Sequence, residues 1–130
     1  MTDEVQQPKN ITISVHGNEI CESLKGAGYF EDLQDAYRTA IFVALAEDLP
    51  DNLDEDPTMK PVQNKWDTDA VFRTKGNNVE AALLAVGVTP AETITRGKRL
   101  AEIGLRHLLS KMERNVDILD VIIPPFDLSA

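Results

Sequence analysis

Two histidines, one cysteine and 22 carboxylates are the side chains of this sequence that could do chemistry. Nucleophilic catalysis needs a serine or cysteine within reach of a basic partner. No serine here sits in a Gly-x-Ser-x-Gly elbow. Cys21 lies beside Ile20 in an apolar stripe, the place of a small core residue. His16 reads as a strand-end residue and His107 as a helix-surface residue. No glycine-rich phosphate cradle occurs. Asn52, Asp54 and Asp56 share the spacing of the first ligands of a calcium loop. Pro57, however, stands where that loop needs a flexible glycine, and Gln63 where it needs a bidentate glutamate. The segment therefore reads as a solvated acidic loop. A single cysteine leaves no internal disulfide and no multi-cysteine zinc site. The expectation is a protein that is not an enzyme and that uses no metal or cofactor.

Charge narrows the partners. The 130 residues carry a net charge of −9. Residues 1–59 hold 13 acidic and 3 basic side chains, a balance of −10, and residues 60–130 hold 9 and 10, a balance of +1. An acidic whole repels phosphate, so indiscriminate nucleic-acid binding is disfavoured, and binding through a local basic face is not. No run of about 18 apolar residues offers a membrane span. The polar, acidic start MTDEVQQPKN does not read as a secretory leader. A cytoplasmic setting is expected.

The elements that must position these groups follow from hydrophobic periodicity. Residues 1–8 are expected to be disordered. Residues 9–15 (KNITISV) alternate as a half-buried strand, with Ile11, Ile13 and Val15 on one face and Asn10, Thr12 and Ser14 on the other. A lone strand needs a partner, which the segment at 116–130 or a second chain could supply. Asn18 suits the N-cap of a short helix at 19–25, closed by Gly26 and Gly28. A stronger helix is predicted at 32–47. Its residues 40–46 (AIFVALA) are apolar all round, with Phe42 and Val43 off the main stripe. A small domain buries such a girdle most easily by dimerising.

Residues 47–64, with three prolines and six acids, read as a loop held too weakly to be ordered. Trp66 to Phe72 reads as a helical turn, and Asn77, with Glu80 three residues on, as the start of a short helix closed by Gly87. The last helix has Thr89 as cap, Pro90 at its first position and Glu92 two further on, and it runs to about Arg114. Ile94, Gly97, Ala101, Gly104, Leu105, Leu108 and Met112 share one face, flat enough at the small residues for another backbone to approach closely. Arg96, Arg99, Arg106, His107, Lys111 and Arg114 fill the opposite arc. Leu100 and Ile103 lie within that arc, so the helix is expected to meet two different surfaces. The apolar stretch at 116–130 (VDILDVIIPPFDLSA) is expected to be a strand that covers an edge or an arm that docks on a partner.

Within residues 9–49 the order is strand, short helix, Gly-containing turn, long helix. Ile11, Ile13 and Val15 carry it in the strand, Leu24 and Gly28 at the turn, and Asp35-Ala36-Tyr37-Arg38-Thr39-Ala40-Ile41 in the long helix. This order resembles the ribbon-helix-helix family of small DNA-binding regulators. The resemblance implies that two chains pair their strands into an antiparallel ribbon, with Ile11, Ile13, Ile41, Phe42 and Leu45 at the dimer interface. It also implies that Lys9, Asn10, Thr12 and Ser14 face the major groove. Separately, Arg96, Arg99, Arg106 and Lys111 form a basic face that could lie on phosphates, or could pair with the acidic half of its own or a second chain.

The expected architecture is mainly α. It comprises a short N-terminal strand followed by four or five helices in one domain at 9–115, with an acidic loop at 47–64, a tail at 116–130, and assembly into a homodimer or larger. The expected function is a DNA-associated regulator or accessory protein. The alternative is an acidic, non-enzymatic adaptor that docks a protein partner through its loop or tail.

Overall fold

A computed structural model of the chain describes residues 9–73 and 78–114. Among them, five α-helices and a two-stranded sheet surround one apolar core. Strand β1 (Asn10–Ser14) buries Ile11 and Ile13 completely, as its alternation predicts. Strand β2 (Val62–Asp67) pairs with it antiparallel, in a stretch expected to be loop and helical turn. The pairs are Ser14 with Val62, Ile13 with Gln63 and Thr12 with Asn64. Beyond these the register shifts, so that Ile11 meets Trp66 and Lys65 is left as a bulge.

Helix α1 (Val15–Gly26) begins earlier than its glycine suggests. Ser14, not Asn18, is the N-cap, and its Oγ accepts from the Gly17 N–H at 2.8 Å. Val15 consequently leaves the strand's apolar face and is exposed. Helix α2 (Leu33–Ala46) has Asp32 as its cap, accepting from the Asp35 N–H at 3.0 Å. Its apolar girdle is covered within the chain: Ile41, Val43 and Ala44 are buried, and Phe42 and Leu45 are half-buried. Of the five side chains expected at a dimer interface, Ile11, Ile13 and Ile41 are buried in this core, and Phe42 and Leu45 are half-buried at its edge.

After two 3-10 turns (Leu53–Glu55 and Pro57–Met59) and β2, helix α3 (Thr68–Phe72) leads to α4 (Val79–Ala85). Asn78 caps α4, one residue after the cap expected at Asn77, which lies outside the described residues. Gly87 ends it with a positive φ. Pro90–Glu92 forms a 3-10 turn, in which Thr89 makes no side-chain cap bond, before helix α5 (Thr93–Glu113).

Helix α5 packs chiefly on α2. The close approach allowed by its small residues occurs at Gly104, where a Cβ would overlap the Ala40 carbonyl. Gly97 similarly faces the Phe72 ring. Each glycine costs the helix about 1 kcal/mol relative to alanine. Burial of Ile94, Ala101, Leu105 and Leu108 on the same face, at about 1.5–3 kcal/mol for a large side chain, outweighs that cost.

Candidate interaction surface

The basic arc of α5 lies under the acidic loop. Arg99 donates to both carboxylate oxygens of Asp51 at 2.6 Å and reaches Asp54 at 3.2 Å. Arg96 lies 3.8 Å from Asp51. Arg106 donates to Asp56 at 2.9 Å and to the Thr58 hydroxyl at 2.8 Å. His107 meets Glu47 at 3.1 Å. The Arg99 hydrogen bonds hold the Asp51 carboxyl below the usual carboxylate range. Hydrogen bonds from Thr58, seconded by Arg106, do the same for Asp56. The loop expected to be loosely held is therefore clamped. Leu53 anchors it as a buried apolar residue, and Leu100 and Ile103 of α5 are buried on the arc's side of the helix.

One acid of this network is interior. Glu102 is 3% exposed. It accepts from the Ser14 N–H at 2.8 Å, the Ser14 hydroxyl at 2.7 Å and Arg106 at 2.8 Å. It thus ties α5 to the junction of β1 and α1. Its sequence context, Ala101-Glu102-Ile103-Gly104 among small and apolar residues, was the available sign, and sequence reasoning missed it. Nearby, burial pushes the Cys21 thiol up to about 12, so it is not a ready nucleophile. Burial likewise raises the Tyr37 phenol, which packs edge-on to Trp66 at 5.3 Å between ring centroids. The Tyr37 hydroxyl has no hydrogen-bond partner among the described residues. No group of three or more potential metal ligands is gathered among them either.

The residues expected to contact DNA fall on β1 and on α5, in different surroundings. Lys9 and Asn10 are exposed at the start of β1. The Thr12 hydroxyl accepts from Lys98 at 3.1 Å, and Ser14 is buried on Glu102. Arg96, Arg99 and Arg106 face the loop aspartates. Lys111 is half-buried near the end of α5, with no ion pair among the described residues.

The open surface lies on the other side of the loop. An open cleft of about 910 Å³ separates the loop from the start of β2. Leu53, Pro57, Met59, Pro61 and Val62 give it apolar walls, and Asp54 and Asp56 line it beside the cations Lys60 and Arg99. Val62 is 54% exposed. The cleft reaches β2 at Val62, and the outer edge of that strand faces no third strand among the described residues. The Pro61 carbonyl accepts from the Val15 N–H, so Pro61 and Gln63 direct their backbone groups toward β1. By antiparallel alternation, Val62 and Asn64 direct theirs outward.

No protein-family model matches the sequence, and no curated protein or solved structure is significantly similar to it.

Proposed function

We propose that this protein is a non-enzymatic interaction adaptor that captures an extended, apolar protein segment in the cleft between the acidic loop and β2. The observation that carries this reading is the continuity of an apolar cleft with an open strand edge. A segment lying there adds as a strand: outward backbone groups of Val62 and Asn64 give it ladder bonds, and the cleft takes alternate side chains. The bulge at Lys65 and the charge beside it confine the added strand to residues 62–64. Lys60 favours an acidic residue in the captured segment.

A display library of short peptides tests this reading. Enriched peptides should alternate apolar residues and carry an acid. Titration calorimetry should show that Val62→Pro, which removes an outward N–H, and Met59→Asp, which charges the cleft, each abolish their binding. Circular dichroism checks that both variants stay folded. Enrichment that is equal on parent and variants would reject the site.

A second reading keeps the DNA-associated regulator of ribbon-helix-helix-like architecture. The order β1, α1, α2 over residues 10–46 supports it. Under it, duplex binding at 50 mM salt, a concentration at which phosphate contacts are strong, falls with Lys9→Ala and Asn10→Ala. The adaptor requires no duplex binding at all.

A further inference from the structure

We propose that a second pocket, at the far end of β2 from the cleft, binds an uncharged saccharide on Trp66 and the amide side chains around it. The pocket is open and holds about 430 Å³, within the roughly 300–1,000 Å³ of small-molecule sites. The bulge at Lys65 builds it. Cross-strand partners share a face of a sheet, so Asn64 stands beside Thr12 and Asp67 beside Asn10, while Trp66 stands beside the buried Ile11. Regular alternation would put residue 66 on the face of residue 64, and the extra residue turns the indole to the other face. There the fully buried Tyr37 meets it edge-on. The indole is only half-buried, and it lines the pocket together with Asn10, Asn64, Asp67 and, from α2, Gln34.

The polar side chains of this pocket are uncommitted. Among the described residues, no hydrogen bond engages the side chains of Asn10 or Asn64. Asp67 stands at the N-cap of α3 without making a side-chain cap bond. Gln34 commits only its carbonyl oxygen, which accepts from Arg38 at 3.3 Å, and keeps its NH2 group to donate. Arg38, 8% exposed and bonded also to Asp35 and the Ala70 carbonyl, fixes that arrangement. Three amides and a carboxylate beside an aromatic ring suit a polyhydroxylated ligand. Its hydroxyls both donate and accept, and the C–H face of a sugar ring packs on an indole. The Lys65 ammonium, 5.7 Å from the indole centroid, adds a donor beside the ring. Charge argues against an anion: Lys65 and Asp67 are the charged residues of the lining and cancel, and the whole chain carries −9. The openness of the pocket leaves the outer hydroxyls of a sugar in water, so few polar groups are desolvated without a partner.

Trp66 is the only tryptophan of the chain, so its fluorescence reports on this pocket directly. The full chain is screened on an array of immobilised mono- to tetrasaccharides, and the best ligand is titrated to millimolar concentration while the emission is followed. A saturable change is expected. Asn64→Ala and Asp67→Asn alter exposed side chains, and each should weaken binding about tenfold, the worth of one good hydrogen bond. Met59→Asp, which charges the cleft, should leave sugar binding unchanged. If no saccharide changes the emission, or if both pocket variants bind as the parent does, the proposal is overturned. Adenosine and uridine are titrated in parallel, and a nucleoside held more tightly than every saccharide overturns it in favour of base stacking on the indole.

Discussion

Helix α5 meets the rest of the molecule through two unlike contacts. Its small-residue face is dry and lies so close to α2 that Gly104 has no room for a methyl group over Ala40. Its basic face is wet at the rim and is joined to the acidic loop by arginine–aspartate pairs whose side chains keep between 17% and 32% exposure at Arg106 and Arg99. The first contact is steric and apolar, indifferent to salt and pH. The second is electrostatic, screened by salt and dependent on ionised carboxylates. The difference assigns their roles: the dry face fixes the fold, and the charged face fixes where a loop and its neighbouring cleft lie.

The largest effect should come from the dry face. Gly104→Val gains helix propensity of less than 1 kcal/mol but forces backbone apart in the core, at about 3 kcal/mol or more. Denaturant unfolding should show a large drop in midpoint, or no cooperative transition. A variant as stable as the parent would mean that the α2–α5 contact is looser than the overlap at Ala40 requires. Glu102→Ala comes next, because Ser14 and Arg106 lose a buried acceptor; breaking a buried pair costs about 3 kcal/mol. Glu102→Ala with Arg106→Met should recover part of that loss, and a double variant no better than the single one would break the pairing argument.

The charged face should respond more gently. Arg99→Ala should cost about 1 kcal/mol at low salt, since exposed pairs are worth little, and the difference should shrink as salt rises. Asp51 and Asp56 have folded-state pKa values held below their unfolded ones. Their contribution is therefore complete above about pH 4, the ordinary aspartate value, and is lost as pH falls through the folded values. Amide exchange in residues 51–58 should accelerate in that acid window before the α2–α5 contact opens. Simultaneous exposure of both regions would erase the distinction between them. The smallest effect is expected at Tyr37→Phe. It removes a buried hydroxyl that has no partner among the described residues, so stability should hold within about 1 kcal/mol or rise.

Much of the helical frame was legible because its cause is local. The 3.6-residue spacing marked α2 and α5, and the small residues of α5 marked the close contact. Asn18 suited a cap by residue type, whereas Ser14 is the cap because its hydroxyl lies three residues ahead of the Gly17 N–H that it accepts from. The cleft and the arginine–aspartate seam were partly foreshadowed by the charge imbalance between the two halves, which left open which surfaces would meet.

By itself the sequence determined that this chain is mainly helical, that it carries one alternating strand, and that it has an acidic segment and a helix with a basic face. Those properties arise from neighbours one to four residues apart, where periodicity and capping act. Only the tertiary structure decided that β1 pairs with residues 62–67. That strand is an edge with mostly exposed side chains, so it carries no alternating apolar signal. The tertiary structure also decided that Glu102 is interior and that the arginines of α5 are taken up by their own chain. Both depend on contacts across some 45 to 88 residues, the separations of Arg99 from Asp54 and of Ser14 from Glu102. Such contacts form only when the apolar core has brought distant surfaces within reach of a hydrogen bond.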